Sequence, residues 1–151
     1  MAIILKSPRE IELLREANQI VARTLALLSE KLEVGCSTFF LDTLAEKYCR
    51  ECGAEPAFKG YRGFPGSLCV SINEQVVHGI PSKKVIVKDG DIVSIDFGVK
   101  YKGYYGDAAV SIPVGKVASE RRTLLEVTRT ALYKGIAQAV PGNRINDISQ
   151  A

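Results

Sequence analysis

Two aspartates, Asp96 and Asp107, and the only histidine, His78, are the side chains of this sequence best suited to chemistry. The stretches 91–99 and 104–112 alternate apolar and polar residues with the period of a β-strand, and Lys102-Gly103 suits a two-residue turn between them. That turn sets Tyr101 opposite Tyr104, Asp96 opposite Ala109 and Asp107 opposite Gly98. One face of the hairpin then carries Ile92, Ser94, Asp96, Gly98, Asp107, Ala109 and Ser111. The other carries Val93, Ile95, Phe97, Val99, Ala108, Val110 and Ile112, and is the face to bury. In this register Asp96 and Asp107 are diagonal neighbours, about 7–8 Å apart at the backbone and closer at the side chains. Two carboxylates so placed repel unless a cation lies between them or one is protonated. Bridging carboxylates are also the natural ligands of a two-metal site with ions ~3.5–4 Å apart. Gly98 and Ala109 on the same face are expected to leave room for ions and substrate. A competing reading stays open, because aspartate is common near turns and Asp107 directly follows Gly106.

His78 stands in Val76-Val77-His78-Gly79-Ile80-Pro81, where Gly and Pro impose an irregular backbone. It reads either as a hydrogen-bond donor or proton shuttle beside a metal site, or as a surface or half-buried imidazole. Cys49 and Cys52 form a lone C-x-x-C without a second pair. At a helix end they read more simply as one buried and one flanking thiol than as metal ligands. Cys36 and Cys69 complete the four cysteines, all expected to be thiols.

These residues must be positioned by the elements around them. Ser7-Pro8-Arg9-Glu10 is a helix start with a capping residue, a proline at the first helical position and a capping-box glutamate. Ile11, Leu14, Val21, Leu25, Leu28 and Leu32 continue at helical spacing, and Gly35 is the expected stop. A second helix is expected from Thr38 to Cys52, before Gly53. Gly60, Gly63, Pro65 and Gly66 then punctuate a loop holding Phe58, Tyr61 and Phe64. A strand over 67–73, an irregular stretch over 76–81 and a turn at Asp89-Gly90 lead to the hairpin. A third helix is expected from Ser119 to Ala139, and a further helix opens near Ile145. Helices, strands and a helix in this order predict an α+β fold, an antiparallel sheet with helices on one face.

The chain has 151 residues, 46% of them hydrophobic and 25% charged, which suits one folded domain with a core of its own. The net charge of +3 is mild and its lysines and arginines are scattered, so it implies no specific nucleic-acid binding, although work near a ribosome is compatible with it. No apolar run is long enough to span a bilayer, and the start lacks the pattern of a secretory leader, so a cytoplasmic location and no membrane partner are expected.

Lys6-Ser7-Pro8-Arg9-Glu10-Ile11, Ser71-Ile72-Asn73-Glu74, Val77-His78-Gly79-Ile80-Pro81, Asp89-Gly90-Asp91-Ile92-Val93-Ser94-Ile95-Asp96-Phe97-Gly98 and Gly103-Tyr104-Tyr105-Gly106-Asp107 closely resemble type I, bacterial-type methionine aminopeptidases. The motifs occur in that family's order and spacing over nearly the whole chain. The resemblance implies a pita-bread fold, of which residues 1–151 would be the N-terminal part with the second half missing. It implies metal-dependent removal of the N-terminal methionine from nascent proteins. Asp96 and Asp107 would be metal ligands, and His78 would contact the scissile amide. Phe58, Tyr61, Phe64 and Cys69 would line the pocket for the methionine side chain. Two divalent ions are implied, with cobalt, manganese, iron or zinc all compatible with a carboxylate-rich site.

The family's remaining ligands have no counterpart here. Metal binding by this chain is therefore expected to be weak and its activity low or absent. Self-association through the exposed half-fold face is a further expectation. Two alternatives remain: a non-catalytic, ribosome- or partner-associated binding module of the same fold, and a proline-specific peptidase. The pair of aspartates with His78 weighs against the first, and the stretch 58–69 against the second.

Overall fold

The structure is a computed structural model that describes residues 4–151. The absence of a leader was read partly from residues 1–3, which lie outside the described residues. The chain divides into two compact units, Met1–Lys116 and Val117–Ala151.

The first unit opens with α1 (Pro8–Lys31), started by Ser7 and Glu10 in a reciprocal capping box. Its buried stripe is Ala17, Ile20, Val21, Thr24, Leu25 and Leu28. Ile11 is exposed and Leu14 only half-buried. The helix stops at Lys31, short of the expected Gly35. Residues 35–37 leave it to pair with residues 85–87: the Gly35 N–H donates to the Val87 carbonyl, and the Val87 N–H donates to the Cys36 carbonyl. A long-range pairing therefore replaces the last helical turn.

The second helix, α2, spans Thr38–Glu51 and buries Thr38, Leu41, Asp42, Ala45 and Cys49. Cys49 lies in the core, and the half-buried Cys52 is the cap residue, its N–H donating to the Tyr48 carbonyl. Burial, and after it the neighbouring Cys52, push the Cys49 thiol up to about 11.

Four strands follow: β1 (Glu55–Pro56), β2 (Cys69–Ile72), β3 (Ile92–Tyr101) and β4 (Tyr104–Pro113), all paired antiparallel. β3 is the spine. β4 pairs with it from end to end, while β1 and β2 pair with its two halves. The hairpin register is the expected one, with Tyr101 opposite Tyr104, Asp96 opposite Ala109 and Gly98 opposite Asp107. Val93, Ile95, Phe97 and Val99 are fully buried and join the stripes of α1 and α2 in one core. The sheet thus puts its apolar face under helices and leaves its other face polar, as an α+β layer arrangement requires.

The second unit holds α3 (Ser119–Gln138) and α4 (Ile145–Gln150). The two touch where Gly135 meets Ile148. Within this unit Leu124, Val127, Leu132, Tyr133 and Ile136 of α3 are all more than half exposed. Among the described residues, no helix is long and apolar enough to cross a membrane.

Candidate active site

The polar face of the sheet carries the candidate site. Asp96, half-buried on β3, has Cys69 of β2 directly across on one side and Ala109 of β4 across on the other. Asp107 stands beside Gly98, on the diagonal to Asp96. Its strand is tied to α1 by the Asp107 N–H, which donates to Asn18 Oδ1 at 3.3 Å.

The electrostatics follow from this crowding. Burial raises the Asp96 carboxyl above the ordinary carboxylate range, and the charge of Asp107 and a hydrogen bond with it push the same way, while His78 opposes them. The Cys69 thiol is pushed up to about 11, by burial first and then by Asp96, Asp107 and Asp42.

His78 is delivered by the irregular segment between β2 and β3. Gly79 lies flat against β2: its N–H donates to Ser71 Oγ at 3.1 Å, and its carbonyl accepts from the Val70 N–H at 3.0 Å. A Cβ on Gly79 would stand 1.9 Å from the Val70 carbonyl oxygen, so only glycine allows this approach. His78, next in line, adopts a left-handed backbone with φ 60°. Its exposed side chain lies on the wall of the cavity.

The aromatic wall comes from the loop between β1 and β2. The Ala57 N–H donates to the Gly98 carbonyl, and a single 3-10 turn at Tyr61–Gly63 folds the loop back on itself. The Phe58 ring lies on Gly98, where a Cβ would come within 2.6 Å of the ring carbon Cε1. This corrects one expectation: the space left by Gly98 is filled by an aromatic ring rather than kept open for ions and substrate. The glycine permits the ring to become a wall beside the carboxylates.

The result is a cavity of about 580 Å³ lined by Phe58, Tyr61, Phe64, Cys69, His78, Asp96 and Asp107, all singled out from the sequence. Arg62, Gly63, Pro65 and Ile80 also line it, and none of them was expected on its wall. Ile80 had a weak local signal, since it stands two residues after His78 in the same segment. Arg62 had none, because its place on the wall depends on the 3-10 turn.

The donor set suits part of a metal site. Two carboxylates on one sheet face are hard oxygen ligands for divalent cations. They form a pair only: among the described residues, no group of three or more His, Cys, Asp or Glu side chains could hold a metal ion.

Residues 12–151 match metallopeptidase family M24. The chain belongs to this family. A methionine aminopeptidase 1 of Bacillus subtilis is 52% identical over 149 residues, covering 99% of this chain and 60% of that protein. A crystal structure of methionine aminopeptidase from Thermotoga maritima superposes with a TM-score of 0.95 at 41% identity, over 99% of this chain and 60% of that one. Prolidase from Pyrococcus furiosus superposes with a TM-score of 0.84 at 26% identity, over 96% of this chain and 41% of that one. The M24 pita-bread fold and the resemblance to methionine aminopeptidases read from the sequence are thereby established. The chain spans about three-fifths of the length of the curated relatives it matches.

Proposed function

We propose that this chain supplies the aspartate half of a dinuclear metal site and the recognition pocket of an enzyme that removes the N-terminal methionine from nascent proteins. The observation that carries the proposal is the meeting, in one cavity, of two carboxylates with an aromatic- and thiol-lined wall. Asp96 and Asp107 would hold two divalent ions, with further ligands from outside the described residues. When bound, such ions would supply Lewis acidity toward a water and the scissile carbonyl. Phe58, Tyr61, Phe64 and Cys69 enclose an unbranched thioether, which gains sulfur–aromatic contact with such walls. His78, on the segment pinned by Ser71, donates a hydrogen bond to the scissile amide. Residues 1–151 are the N-terminal portion of the two-halved fold in this reading, the metals are cobalt, manganese, iron or zinc, and the enzyme works in the cytoplasm on peptides leaving the ribosome.

The test uses the single histidine as a reporter. Mn2+ titrated into the chain should broaden the His78 ring resonances, and Asp96→Ala with Asp107→Ala should remove the effect. Equal broadening in the double variant sinks the metal assignment. A Met-Ala-Ser peptide should shift the Phe58, Tyr61 and Phe64 resonances more than Ala-Pro-Ser does, and the reverse order would favour a peptidase specific for Xaa-Pro bonds. Methionine release by the chain should be very low or absent. Brisk release that is lost on Asp96→Ala would instead mean that the chain assembles a full site. Self-association through the exposed half-fold face belongs to the same reading, and a monodisperse monomer in light scattering counts against it.

A further inference from the structure

Two carboxylates of α2 stand outside the site just described and yet hold its wall. Asp42 and Glu46 lie one helical turn apart, on the same face of the helix. Asp42, only 7% exposed, takes two backbone donors on one oxygen: the Ser67 N–H at 2.7 Å and the Leu68 N–H at 3.0 Å. Glu46 accepts from Lys59 Nζ at 2.6 Å and from Ser67 Oγ at 2.9 Å with one oxygen, and from the Arg50 guanidinium with the other. The helix therefore grips the pocket loop at both ends, at Lys59 on entry and at Ser67-Leu68 on exit. Tyr61 and Phe64 lie between these grips, Phe58 immediately precedes the first, and Cys69 immediately follows the second.

The grip reaches the second wall as well. Gly66 is packed so closely that a Cβ would stand 3.2 Å from Asp42 Oδ1 and 2.9 Å from Cδ of Pro81. Pro81 ends the segment that carries His78, so the two walls come together at Gly66, with the Asp42 carboxylate close by. The charges suit the task. Lys59, Arg50 and Ser67 hold Glu46 down to about 2 against the opposing effect of burial, so it stays ionised throughout the physiological range. Burial pushes Asp42 up, and the Ser67 and Leu68 N–H groups pull it back.

We propose that Asp42 and Glu46 are positioning residues that set the spacing of the two pocket walls, and with it the choice of the first side chain of the substrate. The part about side-chain choice rests on the pocket reading above; the part about wall spacing does not.

The experiment is therefore layered. In the full chain, the nuclear Overhauser contact between the Phe58 ring and the Gly98 Hα reports the wall directly. Glu46→Gln and Lys59→Met should each weaken that contact and speed amide exchange at Tyr61–Phe64 about fivefold, the scale of losing one charged contact at a partly exposed site. Lys59→Arg should restore both, whereas a role limited to packing of the lysine stem would be retained by methionine. Glu12→Gln, which breaks the exposed Glu12–Arg15 pair on α1, should change neither. An unchanged Phe58–Gly98 contact and unchanged exchange in both Glu46→Gln and Lys59→Met overturn the proposal. Methionine amide and leucine amide are then titrated as probes. A loss of preference in the variants supports the choice of side chain; no binding of either probe to the parent defeats the pocket reading and leaves the wall result to stand or fall on its own.

Discussion

Replacing Gly79 with alanine perturbs the site at a single defined point. The new Cβ would stand 1.9 Å from the Val70 carbonyl oxygen and 3.0 Å from the Ser71 Cα, all of it backbone that cannot rotate away. Even a close carbon–oxygen approach needs about 3.3 Å, so the segment must retreat by roughly 1.4 Å. That retreat strains or breaks two hydrogen bonds, Val70 N–H to the Gly79 carbonyl and Gly79 N–H to Ser71 Oγ. At about 1 kcal/mol each, the loss is ~2 kcal/mol. The pairing of β2 with β3 is untouched, so the core should survive. For a chain of this size the expected fall in Tm is about 4–8 °C. His78 adjoins the displaced residue, and a misplacement near 1 Å costs on the order of 100-fold in a positioned reaction. The assays are thermal unfolding and the His78 ring resonances, with methionine release measured in whatever assembly is active. A variant with unchanged Tm and unchanged His78 resonances would falsify the claim that contact between Gly79 and β2 positions the histidine. Loss of the whole sheet would show that the segment does more than carry His78.

Two further outcomes follow from the crowding of charge. Asp96 has its folded-state pKa raised by burial and by Asp107, so its ionised form is disfavoured by the fold. Its contribution to stability is favourable at low pH and is lost as pH rises through the folded pKa. Asp96→Asn should therefore stabilise the metal-free chain at pH 7 by roughly 0.2–1 kcal/mol and give no gain below about pH 3.9, where the unfolded aspartate is protonated too. Thermal melts at pH 7 and pH 3 with a chelator present check this, and destabilisation at pH 7 would contradict it. With its thiol pushed up to about 11, Cys69 should be thiolate in only about one molecule in a thousand at pH 8. Iodoacetamide at that pH should modify Cys36 and Cys52, which are half-buried, well before Cys69, as read by peptide mass spectrometry. Early labelling of Cys69 would mean that the cavity is more open and less acidic than described.

Local patterns were enough for the parts of the fold that depend on neighbours in the chain. The capping box at Ser7 and Glu10 and the bounds of α2 follow from caps and helical spacing, and α3 starts at the expected Ser119 although no side chain caps it. The β3–β4 register follows from alternation plus a two-residue turn at Lys102-Gly103, because a slip of one residue would turn the buried face outward. That register alone placed Asp96 and Asp107 on one diagonal. The C-terminus of α1 was misjudged because residues 35–37 pair with residues 85–87, and nothing local announces a partner so distant in sequence. The two-residue β1 was missed for the same reason, since Glu55 and Pro56 are strand only through Lys100 and Val99.

By itself the sequence determined the chemistry on offer: two carboxylates brought together by a hairpin, one histidine in a Gly- and Pro-bounded segment, and a loop rich in aromatics. It also carried the family, through motifs whose order and spacing are visible without any coordinates. Only the tertiary structure decided how these pieces form a cavity. Cys69 faces Asp96 because β2 pairs with β3, Phe58 rests on Gly98 because that residue has no side chain, and His78 stays on the wall because Gly79 lies against β2. The carboxylates of α2 grip the pocket loop through side chains reaching to distant residues. Local order arises from backbone periodicity, which a sequence displays directly. A cavity arises from close approaches between segments far apart in the chain, and those exist only once the core beneath them has packed.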